Sequence, residues 1–122
     1  MKVSELEGAE LDFYVAKANG WEKLLVCDPL HPTDEFYNYV DSKTGAGQHP
    51  YGSWNPSTDP AQGWPIIENH IFGLEKMGAV SPTDVAWKAV AVYDDDWITQ
   101  EGPTSLIAAM RAYVASKLGS EV

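Results

Sequence analysis

The stretch GPTSLIAAMRAYVASKLGSEV, residues 102–122, most constrains how this chain can fold. Gly102, Pro103 and Thr104 supply a helix start and Gly119 a stop. Between them Leu106, Ile107, Met110, Tyr113, Val114 and Leu118 form a continuous apolar stripe. The opposite side carries Ala108, Ala109, Ala112 and Ala115 in place of the charges of a surface helix. Small residues there let a second element approach closely. Arg111, the only arginine of the chain, lies on that alanine side. A buried cation without a partner is costly, so a carboxylate is expected beside it, with Asp59 or Glu68 as the candidates.

The remaining elements are shorter. A helix is expected from Ser4 or Glu7 to Ala18, with Ser4 and Glu7 as a capping box and Asn19-Gly20 as its stop. Leu24 to Cys27 and the alternating Phe36 to Val40 read as strands. Lys43 to Pro65 is rich in glycine and proline and reads as a long irregular loop. A short helical turn from Pro65 to Glu68 follows, then strands over Ile71 to Lys76, Ala86 to Tyr93 and Trp97 to Gln100. Asp94, Asp95 and Asp96 suit a hairpin connection between the last two.

The expected fold is therefore α+β: one domain over 1–122, with a mostly antiparallel sheet of three to five strands and the N- and C-terminal helices packed on it. Helix, three strands and helix is also the order of double-stranded-RNA-binding domains. The inserted 21–64 segment and the lack of lysines at the last helix argue against that function here.

Charge narrows the function classes. The 122 residues carry 18 Asp and Glu against 8 Lys and Arg, a net charge of -10. That balance favours solubility and repels a phosphate backbone, so direct nucleic-acid binding is not expected. A single cysteine, Cys27, allows no internal disulfide and no cysteine-rich zinc site. It ends an apolar run, where a buried, inert thiol is expected. No apolar stretch approaches a membrane span and no secretory leader is evident, so a location in the cytosol is expected.

The best candidate site lies in the middle of the chain. Ser57, Thr58, Asp59, Gln62 and Glu68 bring hydroxyls, carboxylates and an amide onto a segment shaped by proline and glycine, flanked by Trp54 and Trp64 as stacking surfaces. The competing account is local: turn and cap hydrogen bonds for the polar groups, core for the tryptophans. His31, His49 and His70 lack catalytic or metal spacing, and three adjacent aspartates cannot converge on one ion. Neither a phosphate-binding loop nor a dinucleotide fingerprint is present, so no metal site and no cofactor are expected.

Three blocks carry a resemblance. SELEGAELDFYVAKANG at 4–20, NPSTDPAQGWPIIE at 55–68 and the 102–122 stretch occur in the order found in the phage NinX-like family, and together cover roughly half the chain. The chain departs from that family's pattern at Pro60, where tryptophan is usual, at Trp64, where a second glycine is usual, and at Asn69, where arginine is usual. The resemblance implies a phage or prophage protein working in the bacterial host cytosol, and it supplies no reaction.

Two functions are expected from these observations. The first is a noncatalytic accessory protein that binds a host or phage protein through the middle segment. The second is a binder of a small polar or anionic ligand, or a minor enzyme, with residues 55–68 as its pocket. Aromatics such as Tyr51, Trp54 and Trp64, if exposed, would also suit a homodimer.

Overall fold

In a computed structural model the chain is described over residues 1–28, 31–77 and 86–122, with the backbone alone over 26–28 and 31–36. Expectations for the Cys27 thiol and for the His31 side chain lie outside what is described.

Thr104 opens the C-terminal helix, its side-chain oxygen accepting from the Ile107 N–H at 3.1 Å. This helix, here α3 (Ser105–Leu118), is buried without interruption from Ala108 to Ser116. Such complete burial follows from the alanine side: a sheet packs on one flank and two helices on the other. Those helices are α1 (Gly8–Ala18) and α2 (Pro60–His70).

The expected start of α1 is corrected. Ser4 and Glu7 form no capping box; Val3–Glu5 is a single 3-10 turn, and Glu7 precedes α1 without a side-chain cap bond. The turn sends Val3 and Leu6 fully into the core beside α3. Burying two aliphatic side chains, at about 1.5–3 kcal/mol each, outweighs a cap of about 1 kcal/mol. Backbone hydrogen bonds Val3 N–H to Ser120 O and Val122 N–H to Met1 O, both 2.9 Å, pair the two ends of the chain.

Among the described residues six strands form two antiparallel sheets of three, so the α+β class and the antiparallel pairing are as expected while the single sheet of three to five strands is not. The first contains β1 (Trp21–Asp28), β2 (His31–Asp41) and β3 (Gly47–Pro50), in that order. Trp21, Lys23 and Leu25 stand opposite Asp41, Tyr39 and Tyr37, and Tyr39 stands opposite His49. Side chains alternate along a strand, so this register gathers Trp21, Tyr37 and Tyr39 on one face.

The second sheet contains β4 (Ile71–Lys76), β5 (Trp87–Tyr93) and β6 (Asp96–Gly102), and α3 packs on it. Asp94 and Asp95 close the β5–β6 hairpin with φ of 50° and 68°, the left-handed pair that a two-residue hairpin turn requires.

The long irregular loop is also corrected. Residues 43–65 contain β3, a 3-10 turn at Tyr51–Ser53 and the first half of α2. Asp59 caps α2 by accepting from the Ala61 N–H at 3.0 Å, and Pro60 takes the first helical position. Pro65 thus stands inside the helix and does not open it. Lacking an N–H, it leaves the Ala61 carbonyl without that intrahelical donor.

Candidate functional site

One turn into α1, Asp12 is a carboxylate on a buried face, 5% exposed. Gly8 and Ala9 lie one turn before it, and their small size leaves room beside the carboxylate. Together the three form one wall of a cavity of about 340 Å³. Tyr39 of β2 forms the floor, almost fully buried, while Tyr51, Gly52 and Trp54 close a second side and Asn55 and Thr58 complete the rim.

The aromatic walls pack on one another. Ring centroids lie 5.4 Å apart for Tyr39 and Tyr51, 6.5 Å for Tyr39 and Trp54, and 4.8 Å for Trp21 and Trp54. Trp54 is oriented by its indole N–H, which donates to the Asp12 backbone carbonyl at 2.9 Å. The Ser57 N–H donates to Asp12 Oδ1 at 2.8 Å. Gln62 braces the segment from behind: its Oε1 accepts from the Asn55 N–H at 2.6 Å and its Nε2 donates to Ser53 O at 2.8 Å.

Burial raises the Asp12 carboxyl above the usual carboxylate range, against the opposing effect of the Ser57 N–H and, more weakly, of the Ser57 hydroxyl. That hydroxyl is buried and meets hydrogen-bond geometry with no partner among the described residues. It is therefore near enough to favour the charged carboxylate without being satisfied by it. Burial pushes the Tyr39 phenol up to about 12, with Tyr51 and Asp12 adding to the effect. Among the described residues no lysine, arginine or histidine lines the cavity. Among the described residues no cluster of three His, Cys, Asp or Glu can hold a metal ion, and no helix is long and apolar enough to cross a membrane.

The residues expected to form one site fall into four places. Trp54 and Thr58 line the cavity, and Ser57, outside its lining, is bonded to the Asp12 carboxylate. Asp59 and Gln62 act locally, as a helix cap and a loop brace. Trp64, 52% exposed, donates its indole N–H to Glu68 Oε1 at 2.9 Å on the outer side of α2. Arg111 is elsewhere. Its Nε donates to Leu6 O at 2.8 Å and its Nη1 to Glu101 O at 2.9 Å, so main-chain carbonyls replace the expected Asp59 or Glu68.

Sequence reasoning missed Asp12 and Tyr39, and singled out Tyr51 only as an aromatic suited to a homodimer, not as part of this site. Asp12 had a readable signal, since it interrupts the apolar face set by Leu11 and Val15 with a charge. Tyr51 had none, because its position depends on how the 3-10 turn docks over the sheet. A separate aromatic pair, Phe72 and Trp97, is exposed on the second sheet with centroids 6.2 Å apart.

Fold and site define a small acidic α+β protein with an aromatic-walled cavity that has a buried carboxylate in its lining. The family model described as Bacteriophage P22, NinX matches residues 2–117, and the chain belongs to that family. A comparison with curated proteins finds no match.

Proposed function

We propose that this chain is a noncatalytic phage accessory protein that works by binding, with the Asp12 cavity as its recognition site. The observation supporting this reading is a cavity of about 340 Å³ with aromatic walls and the buried Asp12 carboxylate in its lining. Concave, largely apolar sites with a few placed polar groups are how proteins take up ligands of this size, the usual range being about 300–1,000 Å³. Among the described residues, Asp12 is the only carboxylate lining the cavity, and no histidine, lysine or arginine stands with it. Proton transfer or nucleophilic attack needs a second positioned group, which favours binding over catalysis. The volume suits a single side chain offered by a host or phage protein. The second reading, a free small molecule in the same cavity, has equal support from the volume. Its anionic version has none, since the lining carries no cation.

The test uses the tagged full chain recovered from infected cells, beside an Ala9→Phe variant. Ala9 is exposed and lines the cavity, so phenylalanine there fills the opening without disturbing the core. The expected result is a stoichiometric companion, protein or small molecule, held by the parent chain and lost from a folded Ala9→Phe variant. Equal retention by both chains would refute the cavity as the recognition site.

A further inference from the structure

We infer that the group taken into this cavity is an organic ammonium, held by the Asp12 carboxylate and the faces of Tyr39, Tyr51 and Trp54. The inference rests on the reading that the cavity is the recognition site, and adds the chemistry of the occupant. Aromatic faces carry the negative part of the ring quadrupole and attract cations within about 6 Å of the centroid, most strongly where water is excluded. Asp12 supplies the counter-charge and Ser57 an unsatisfied hydroxyl beside it.

The same aromatic cluster already holds one ammonium. Lys23 Nζ lies 3.8 Å from the Tyr51 centroid and 4.4 Å from that of Tyr37. Lys23 is exposed, so water screens its charge from a second cation in the cavity.

Other occupants fit less well. An anion would meet the Asp12 carboxylate with no basic residue in the lining to offset it. A purely apolar group would seal the carboxylate from water with the Ser57 N–H as its partner and no counter-charge, which is costly. A hard metal ion needs six or more oxygen ligands, and the walls are mostly aromatic carbon. An alkylammonium offers both N–H donors or polarised methyl groups for the carboxylate and an apolar body for the rings.

The experiment titrates the intact chain at constant ionic strength and follows the Trp54 indole N–H signal by NMR. The probes are choline, its neutral carbon isostere 3,3-dimethyl-1-butanol, butylammonium and butyrate. The expected result is saturable binding of choline or butylammonium, at least ten-fold tighter than the isostere and butyrate. Asp12→Asn, which keeps an oxygen for the Ser57 N–H, is expected to remove most of that preference. The comparison of probes on the unaltered chain stands even if the variant fails to fold.

Equal binding of the isostere or of butyrate would overturn the ammonium assignment and leave the cavity as a recognition site. If no probe shifts the Trp54 signal, the ammonium assignment falls. Loss of the companion from Ala9→Phe would then preserve the broader reading, and its retention would remove both. A short acetylated, amidated lysine peptide separates the two sources. Binding as tight as butylammonium assigns the ammonium to a partner protein's side chain; exclusion of the peptide while the free amines bind assigns it to a small molecule.

Discussion

The Ser57 N–H donates to Asp12 Oδ1 across 2.8 Å and joins the segment before α2 to the middle of α1. Both residues are buried, at 2% and 5% exposure. This bond holds the rim of the cavity against its acidic wall, so its removal should be felt in stability as well as in binding. Asp12→Ala leaves the Ser57 N–H without an acceptor, and a loss of about 1–3 kcal/mol is expected in chemical denaturation. Asp12→Asn retains the acceptor and is expected to fold normally.

These two chains should also differ with pH. The Asp12 pKa is raised in the folded protein, chiefly by burial, so folding favours the protonated acid. The associated stability is present below the unfolded value of 3.8 and is lost as pH rises through the raised folded value. Asparagine does not titrate. Relative to the parent chain, Asp12→Asn should therefore gain stability as pH is raised from 3 to 7. A difference in denaturation midpoint that stays flat over that range would contradict the burial account.

Gly63 marks where α2 approaches α3. A Cβ added at this position would lie 2.5 Å from the Pro56 carbonyl oxygen and 2.8 Å from Leu106 Cδ2. The first of these is backbone and cannot swing aside. Gly63→Ala should cost about 1–3 kcal/mol through overpacking, despite alanine's better helix propensity. Thermal unfolding of the variant measures this; an unchanged or raised midpoint would show that α2 can shift away.

Much of the fold was legible because its signals are local. Ile71–Lys76 is bounded as the residues suggest, and Thr104, Gly119 and the alanine side of α3 announce a buried helix. The errors came where tertiary burial overrode local preference. Val3 and Leu6 pull the chain into the core and displace the Ser4–Glu7 capping box. The start of α2 was misread because two prolines compete for it, and Asp59 as cap favours Pro60 over Pro65. The site was half legible. Trp54, Ser57 and Thr58 lie together in sequence, whereas Asp12, Tyr39 and Tyr51 join them only through the packing of α1 and the first sheet.

His70 gives a second pH dependence, opposite in direction. Its ring packs on Tyr113 with centroids 4.6 Å apart. Burial lowers its pKa below 6.5, and the charge of Lys117 lowers it further. Neutral histidine is thus favoured on folding, so this stability is present above pH 6.5 and lost as pH falls through the lowered folded value. His70→Phe keeps an aromatic ring and removes the titration. The stability difference between variant and parent is expected to move in favour of the variant on going from pH 7 to pH 5, measured by urea denaturation at each pH.

Arg111 anchors the start of the chain to the end of β6 through the carbonyls of Leu6 and Glu101. Arg111→Met fills similar space but leaves both carbonyls without their donor, and a loss of at least about 2 kcal/mol is expected. Arg111→Lys keeps the charge yet cannot reproduce the planar fork that reaches two carbonyls at once, so it should recover only part of that loss. Asp59 spends its carboxylate on the Ala61 N–H, and Asp59→Ala is expected to cost about 1 kcal/mol as a lost helix cap. With no contact between the two side chains, the double variant Asp59→Ala, Arg111→Met should equal the sum of the single losses within about 0.5 kcal/mol. A coupling energy well above that in the double-mutant cycle would mean that Arg111 does pair with Asp59, and that the two carbonyls are not what holds it.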